Sequence, residues 1–230
     1  MRAGAAKGHV KITLANKLMV KMLEFEGLSI ALSRSVYEPA EDSFLTAKMI
    51  KKVLEESHES ITVLDMGCGS GILGLVAAKN KKVKACTFAD INKHAIELAM
   101  KNFKANSNAI NAECNFIVSN LFENIVGIFD IIIFNTPYLP SIMSSERPFQ
   151  ISKAWNGGKG GIEVAERFIR ESEKHLADGG SIVMTTSSFA DLETLKKAVG
   201  DAGMRIIEEM KEHYFFEDII SYRIRFEQAH

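Results

Sequence analysis

The chain has 230 residues, 47% hydrophobic and 25% charged, with a formal net charge of −1 and a pI near 6.6. That balance suits a globular protein of about one ordinary domain, and it argues against a dedicated DNA-binding or membrane-surface protein, since no global field draws the chain to polyanions. Cys68, Cys86 and Cys114 are widely spaced without a Cys-x-x-Cys pair, which speaks against a disulfide framework and a structural zinc site. They read as small buried hydrophobes in a reducing compartment. No signal-peptide or membrane-spanning run is present, and the expected location is the cytoplasm.

Taken in order, His9–Leu14 alternates polar and apolar residues as a half-buried strand does, and Leu18–Ala31 continues less regularly with a bend at Gly27. Residues 1–36 are expected to form a small β appendage, and residues 37–230 the main domain. Tyr37 to Ser43 is a loop leading into a helix that runs to Leu54, with Glu41 and Asp42 in its first turn, where carboxylates favour the helix dipole.

The remainder alternates. Strand Ile61–Asp65 precedes helix Ile72–Lys79, strand Val83–Ala89 precedes helix Lys93–Ala105, and strands Asn115–Val118 and Phe129–Phe134 follow. A helix is predicted over Gly161–Leu176, broken by Gly179-Gly180 before strand Ser181–Thr185. A helix over Asp191–Ala202 and strands Arg205–Tyr214 and Ile219–Phe226, joined around Glu217-Asp218, complete the chain. The pattern predicts an α/β fold, a doubly wound, mainly parallel Rossmann-like sheet of seven strands with an antiparallel C-terminal strand. Pro137 to Gly160 is the least regular stretch, and its place after a buried strand favours function.

The chemistry centres on Asp65-Met66-Gly67-Cys68-Gly69-Ser70-Gly71. Gly69-x-Gly71-x-x-Gly74, with Asp90 about 20 residues on, formally matches a dinucleotide fingerprint. The turn, however, begins at Gly67, directly after a carboxylate at the strand end. Like charges repel, so Asp65 suits a pyrophosphate poorly and a cationic ligand well. Gly74 reads as a close helix–sheet contact, and Asp90 either as a ligand for vicinal hydroxyls or as the N-cap of the next helix.

Asp-x-Gly-x-Gly-x-Gly resembles the first motif of class I S-adenosylmethionine-dependent methyltransferases. The resemblance implies Asp65, Gly67 and Gly69 around the methionine moiety, Asp90 on the ribose, and Asn120-Leu121 near the adenine, where the family commonly has an acidic residue. Asn135-Thr136-Pro137-Tyr138 resembles the Asn-Pro-Pro-Tyr motif of methyltransferases that act on planar nitrogen, with Thr136 in place of the first proline. There Asn135 and a following main-chain carbonyl would accept the two N–H groups, and Tyr138 would lie against the planar group.

Val36–Leu45 and Ala154-Trp155-Asn156-Gly157-Gly158, with Gly161 and Glu163, are similar to the HemK family in its short archaeal and eukaryotic branch. That resemblance implies Ser43 beside the cofactor, Trp155 near the substrate entrance, and a substrate glutamine in the Gly-Gly-Gln motif of a peptide-chain release factor. It also suggests a small zinc-binding activator subunit, with an apolar edge near the final strands as its seat. A nucleic-acid amino-group methyltransferase and a non-catalytic cofactor-binding subunit are the alternatives. No metal site is expected.

Overall fold

A computed structural model describes residues 9–15, 18–138 and 162–227, with side chains from residue 21 onward. In chain order the elements are β1 His9–Ala15, β2 Leu18–Phe25, β3 Leu28–Ala31, α1 Glu41–Glu56, β4 Ile61–Met66, α2 Ile72–Ala78, β5 Val83–Asp90 and α3 Lys93–Ala105. They continue with β6 Glu113–Val118, β7 Phe129–Asn135, α4 Glu163–Ser172, β8 Leu176–Ser187, α5 Leu192–Asp201, β9 Met204–Tyr214 and β10 Glu217–Phe226. The main sheet has the strand order β6-β5-β4-β7-β8-β10-β9. Its first five strands are parallel, and β10 runs antiparallel between β8 and β9.

Side chains alternate across a strand, so a strand covered on both faces must be apolar at every position. In β7, Ile131 and Ile133 face one core with Val63 of β4 and Val183 of β8, under α1 and α2. Ile132 and Phe134 face the other with Leu64, Ile182 and Met184, under α4 and α5. Each such buried side chain contributes about 1.5–3 kcal/mol.

The N-terminal residues form a separate three-stranded antiparallel sheet, β1-β2-β3, with a turn at Glu26-Gly27 where both φ values are positive. Leu23, Phe25, Leu28 and Ile30 from this sheet join the α1–α2 core. The outer edge of β3 is closed by two asparagines one turn apart on α3. Asn106 accepts from the Ser29 N–H at 2.9 Å and donates to the Ser29 carbonyl at 2.9 Å. Asn102 does the same to Ala31 at 2.9 and 3.1 Å, and donates to the Ser70 carbonyl at 2.9 Å. Two side-chain amides thus occupy the place of a neighbouring strand on an edge that would otherwise be open.

Two boundaries differ from the sequence reading. The helix expected over Gly161–Leu176 ends at Ser172, and Leu176 through Gly180 belong to β8. Gly179-Gly180 therefore marks a bulge inside a strand: Phe129 faces Leu176, and the next paired positions are Ile131 and Ser181. Gly179 takes a φ of +70°, the left-handed turn that a bulge can require. The last hairpin turns at Phe215-Phe216, two residues before the expected Glu217-Asp218, because Tyr214 pairs with Glu217.

Asn102 is fully buried and joins β3 to the turn after β4. Asn102→Ala strands buried backbone groups on both and is expected to lower the unfolding free energy by about 3 kcal/mol, read from urea denaturation. A change within error would show that the asparagine edge is dispensable.

Candidate active site

The chain leaves β4 to build outward through β5 and β6, then returns to place β7 on the other side of β4. In open α/β sheets a crevice forms at such a reversal, outside the carboxyl ends of the strands. Here it is a cavity of about 720 Å³. Its walls are the Gly67–Ser70 turn, Asp90, Ser119–Leu121, Asn135–Tyr138 and the segment from Tyr37 to Ser43.

Gly67, Gly69 and Gly71 all have positive φ, at 62°, 54° and 82°. A Cβ on Gly67 would lie 3.2 Å from the Phe134 ring, and one on Gly71 would lie 3.0 Å from Ala99 Cβ. The turn is held from below by carboxylates. Asp90 accepts from the Gly69 N–H at 2.9 Å with one oxygen and from the Asn92 N–H at 2.8 Å with the other. The N-cap of α3 is Asn92, which accepts from the His94 N–H, so the capping alternative for Asp90 does not hold. Asp65 accepts from the Gly74 N–H at 2.8 Å. A Cβ at Gly74 would meet Phe88 at 2.3 Å and this carboxylate at 2.9 Å, which bears out the close-packing reading of that glycine.

Asp65 does not stand on the cavity wall, contrary to its expected place around the ligand. It lies behind the turn, with Oδ1 buried and unpartnered. Burial raises its pKa from 3.8 to about 7, against the Gly74 hydrogen bond and with the repulsion of Asp90. Burial also raises Asp90.

Asp42 is a site residue that sequence reasoning missed. Its position in the first turn of a helix suggested dipole electrostatics, yet its side chain is buried and lines the cavity. It accepts from Tyr37 Oη at 2.8 Å and from the Ser43 N–H at 2.5 Å, and Tyr138 Oη lies 3.5 Å away. The Asn135 side chain lies near Asp42 and helps hold its pKa down. A carboxylate only accepts, so the amide nitrogen is the end of Asn135 that it attracts. Asn135 Oδ1 is buried and has no hydrogen-bond partner among the described residues. Burial raises the Asp42 pKa, while Tyr37, Asn135 and Ser43 oppose the rise. The signal available in the sequence was Tyr37 five residues ahead, close enough to fold back onto the helix start.

The remaining expected residues converge. Ser43, Leu121, Pro137 and Tyr138 line the cavity. Thr136 donates to the Thr185 carbonyl from its N–H at 3.0 Å and from its hydroxyl at 2.9 Å, which anchors the backbone after Asn135. Asn120 also lines the cavity, with its side-chain oxygen accepting from Arg167 at 2.8 Å, which leaves one lone pair for a ligand. Trp155 lies outside the described residues.

Among the described residues, no cation pairs with Asp42, Asp65 or Asp90. Such a set fits a ligand that brings its own positive charge, and the side-chain-free turn fits one that lies along main chain. S-adenosylmethionine, with an ammonium group, a sulfonium and a ribose diol, matches these acceptors. The fold and site are those of an S-adenosylmethionine-dependent methyltransferase.

Comparison with known proteins agrees. The methyltransferase small domain model matches residues 44–215. A protein of Methanocaldococcus jannaschii named for N5-glutamine methyltransferase activity is 38% identical over 177 residues, 76% of this chain and 85% of that one. The release factor glutamine methyltransferase of Agrobacterium fabrum is 26% identical over 87% of this chain and 71% of its own length. In fold, the E. cuniculi Mtq2–Trm112 complex aligns with a TM-score of 0.59 at 20% identity, over 84% of this chain and 99% of that one. The chain belongs to the methyltransferase small domain family, in its HemK branch.

The raised Asp65 pKa has a sign that can be checked. A folded value above the unfolded one gives stability that is complete below about pH 3.8 and lost as pH rises through about 7. Without cofactor, Asp65→Asn is expected to be more stable than wild type at pH 8, by at most on the order of 4 kcal/mol, with no gain near pH 4. The same variant is expected to bind S-adenosylmethionine more weakly. Equal denaturation midpoints at pH 8 would contradict this account.

Proposed function

We propose that the enzyme methylates the side-chain amide nitrogen of a glutamine in a polypeptide, the glutamine of the Gly-Gly-Gln motif of a peptide-chain release factor. The observation that carries the reading is the buried Asn135 Oδ1, which has no hydrogen-bond partner among the described residues, on a side chain that lies near Asp42. An amide nitrogen is a poor nucleophile because its lone pair is delocalised into the carbonyl. What such a nitrogen needs is a hydrogen-bond acceptor that fixes its plane and meets the positive charge developing on its N–H groups. Asn135 Oδ1 supplies one, already desolvated and already oriented. The Thr136 carbonyl, on a backbone pinned to Thr185, supplies the second.

S-adenosylmethionine, when bound, supplies an electrophilic methyl group on sulfur. Asp65 and Asp90 hold the glycine turn that would cradle it, and Asp90 would take its ribose hydroxyls. Tyr138 covers the planar amide, and its hydroxyl stays protonated because burial and the nearby Asp42 charge push its pKa up. No strong base is required, since methyl transfer to the neutral amide would leave its nitrogen cationic, and that cation is acidic enough to lose one N–H proton to water, giving the neutral N-methyl amide. The names of the two sequence relatives support glutamine as the acceptor. The two-protein assembly of the solved neighbour supports a small activator subunit as partner.

The test is transfer of labelled methyl from S-adenosylmethionine to the release factor of the same organism, and to a copy whose motif glutamine is replaced. Label on the first alone is expected. Label persisting on the second, or appearing only on RNA or DNA, would overturn the assignment.

Asn135→Ala is expected to lower kcat by about 10²–10³-fold while the S-adenosylmethionine Kd changes little. A variant as active as wild type would leave the motif as a plain turn.

Asp42→Asn tests the orienting role. Its new amide would donate to Asn135 Oδ1 and occupy the acceptor, so kcat is expected to fall by about 10²-fold without loss of fold by circular dichroism.

A further inference from the structure

We propose that the β9–β10 hairpin tip, with Phe215 and Phe216, together with the Phe189 loop tied to it, is the surface on which the enzyme grips its polypeptide substrate through an apolar and basic segment flanking the target glutamine. This rests on the polypeptide-substrate reading above.

The tip is costly in two ways. Phe215 and Phe216 are 91% and 92% exposed, while Phe189 is 39% exposed. Phe215 also has a φ of +50°. It is the first residue of a two-residue hairpin turn, a place where glycine is favoured when φ is positive. A bulky side chain there is an outlier, and backbone strain of this kind persists mainly where function requires it. A glycine would remove both the strain and the exposed ring.

Position connects the tip to the chemistry. β10 runs antiparallel to β8 with Ile219 opposite Ser187, so the hairpin projects past the carboxyl end of β8. Asn135 pairs with Thr185 at that same end. The hairpin root packs directly on the acceptor site, since Ile219 and Tyr214 join a cluster with Tyr138 and Leu45. The Phe189 loop is tied to the hairpin by the Ser188 N–H donating to the Asp218 carbonyl at 2.9 Å, and by the Asp218 N–H donating to Ser188 Oγ at 3.0 Å.

Charge selects the occupant. Glu217, next to the phenylalanine pair, has Oε2 buried and unpartnered. Glu217 and Glu41 both act electrostatically on Tyr138. Asp218 is already paired with Lys211 and His213, which leaves the half-buried Glu217 carboxylate beside the rings; that combination suits apolar side chains together with lysine or arginine, which can sit over a ring and approach Glu217. A peptide gripped there would place its neighbouring residues at Tyr138.

The experiment compares steady-state methyl transfer to intact release factor with transfer to a short peptide carrying only the Gly-Gly-Gln motif. For the double variant Phe215→Ser/Phe216→Ser, KM for the intact factor is expected to rise about ten-fold or more. Its kcat, its kinetics on the short peptide and its S-adenosylmethionine Kd should stay within about two-fold. Phe215→Asn guards against a folding artefact: asparagine tolerates the left-handed region, so its Tm should be no lower than wild type while KM for the intact factor still rises.

An unchanged KM for the intact factor, an equal loss on the short peptide, or a variant that only turns a dimer into a monomer in light scattering would overturn the proposal. So would a variant that loses only an added activator subunit. A wild-type enzyme inert toward release factor fails the substrate reading itself and removes this occupant with it. An active wild type with an indifferent double variant fails the docking surface alone.

Discussion

Three carboxylates held at the carboxyl end of one parallel sheet, with no cation beside them among the described residues, set the terms for the rest of this structure. Asp42, Asp65 and Asp90 are each removed from water far enough to raise their pKa values. The fold tolerates them because each is supplied with N–H or O–H donors: Tyr37 and Ser43 for Asp42, Gly74 for Asp65, Gly69 and Asn92 for Asp90. Donors of this kind reduce the cost of a buried charge without neutralising it. What remains is a concave site with a standing attraction for a positive ligand, and the donors that reduce the cost are the same groups that shape the cradle.

The two halves of the site use this constraint differently. On the cofactor side, Asp65 and Asp90 act on main chain and fix a turn whose glycines leave room for a ligand. On the acceptor side, Asp42 acts on side chains. Its charge lies near the Asn135 side chain and favours the amide nitrogen over the oxygen on that side, which biases the end of that residue that faces the cavity. An asparagine free to rotate would present donor and acceptor alike, and only the acceptor is useful to a planar N–H₂ group. Discrimination between the two ends comes from a residue on a different element, the first turn of α1. The N-terminal sheet enters the same network, since Asn102 binds β3 and the Ser70 carbonyl at once.

The alternation of strands and helices was legible because both-face burial leaves β7 almost continuously apolar and β4 largely so. Legibility failed at glycines. Gly179-Gly180 looks like punctuation between helix and strand, yet pairing of Leu176 with Phe129 pulls the whole stretch into β8 as a bulge. A local signal cannot tell a break from a bulge when the deciding partner lies some 50 residues away. The same limit explains Asp42, whose helix-start position is what a solvated dipole residue would also show.

Sequence by itself determined the class of chemistry. An acidic strand end followed by alternating glycines, a second acidic strand end, and an asparagine–proline turn after a buried strand require particular residue types at particular chain positions, and those are visible in one dimension. Tertiary structure decided how each residue acts. It moved Asp65 from the ligand wall to a place behind the turn, paired the Asn120 oxygen with Arg167, and brought Asp42 to Asn135 across 93 residues of chain. Motifs follow the local backbone, whereas burial and hydrogen-bond partners arise only when distant strands and helices share one end of a sheet.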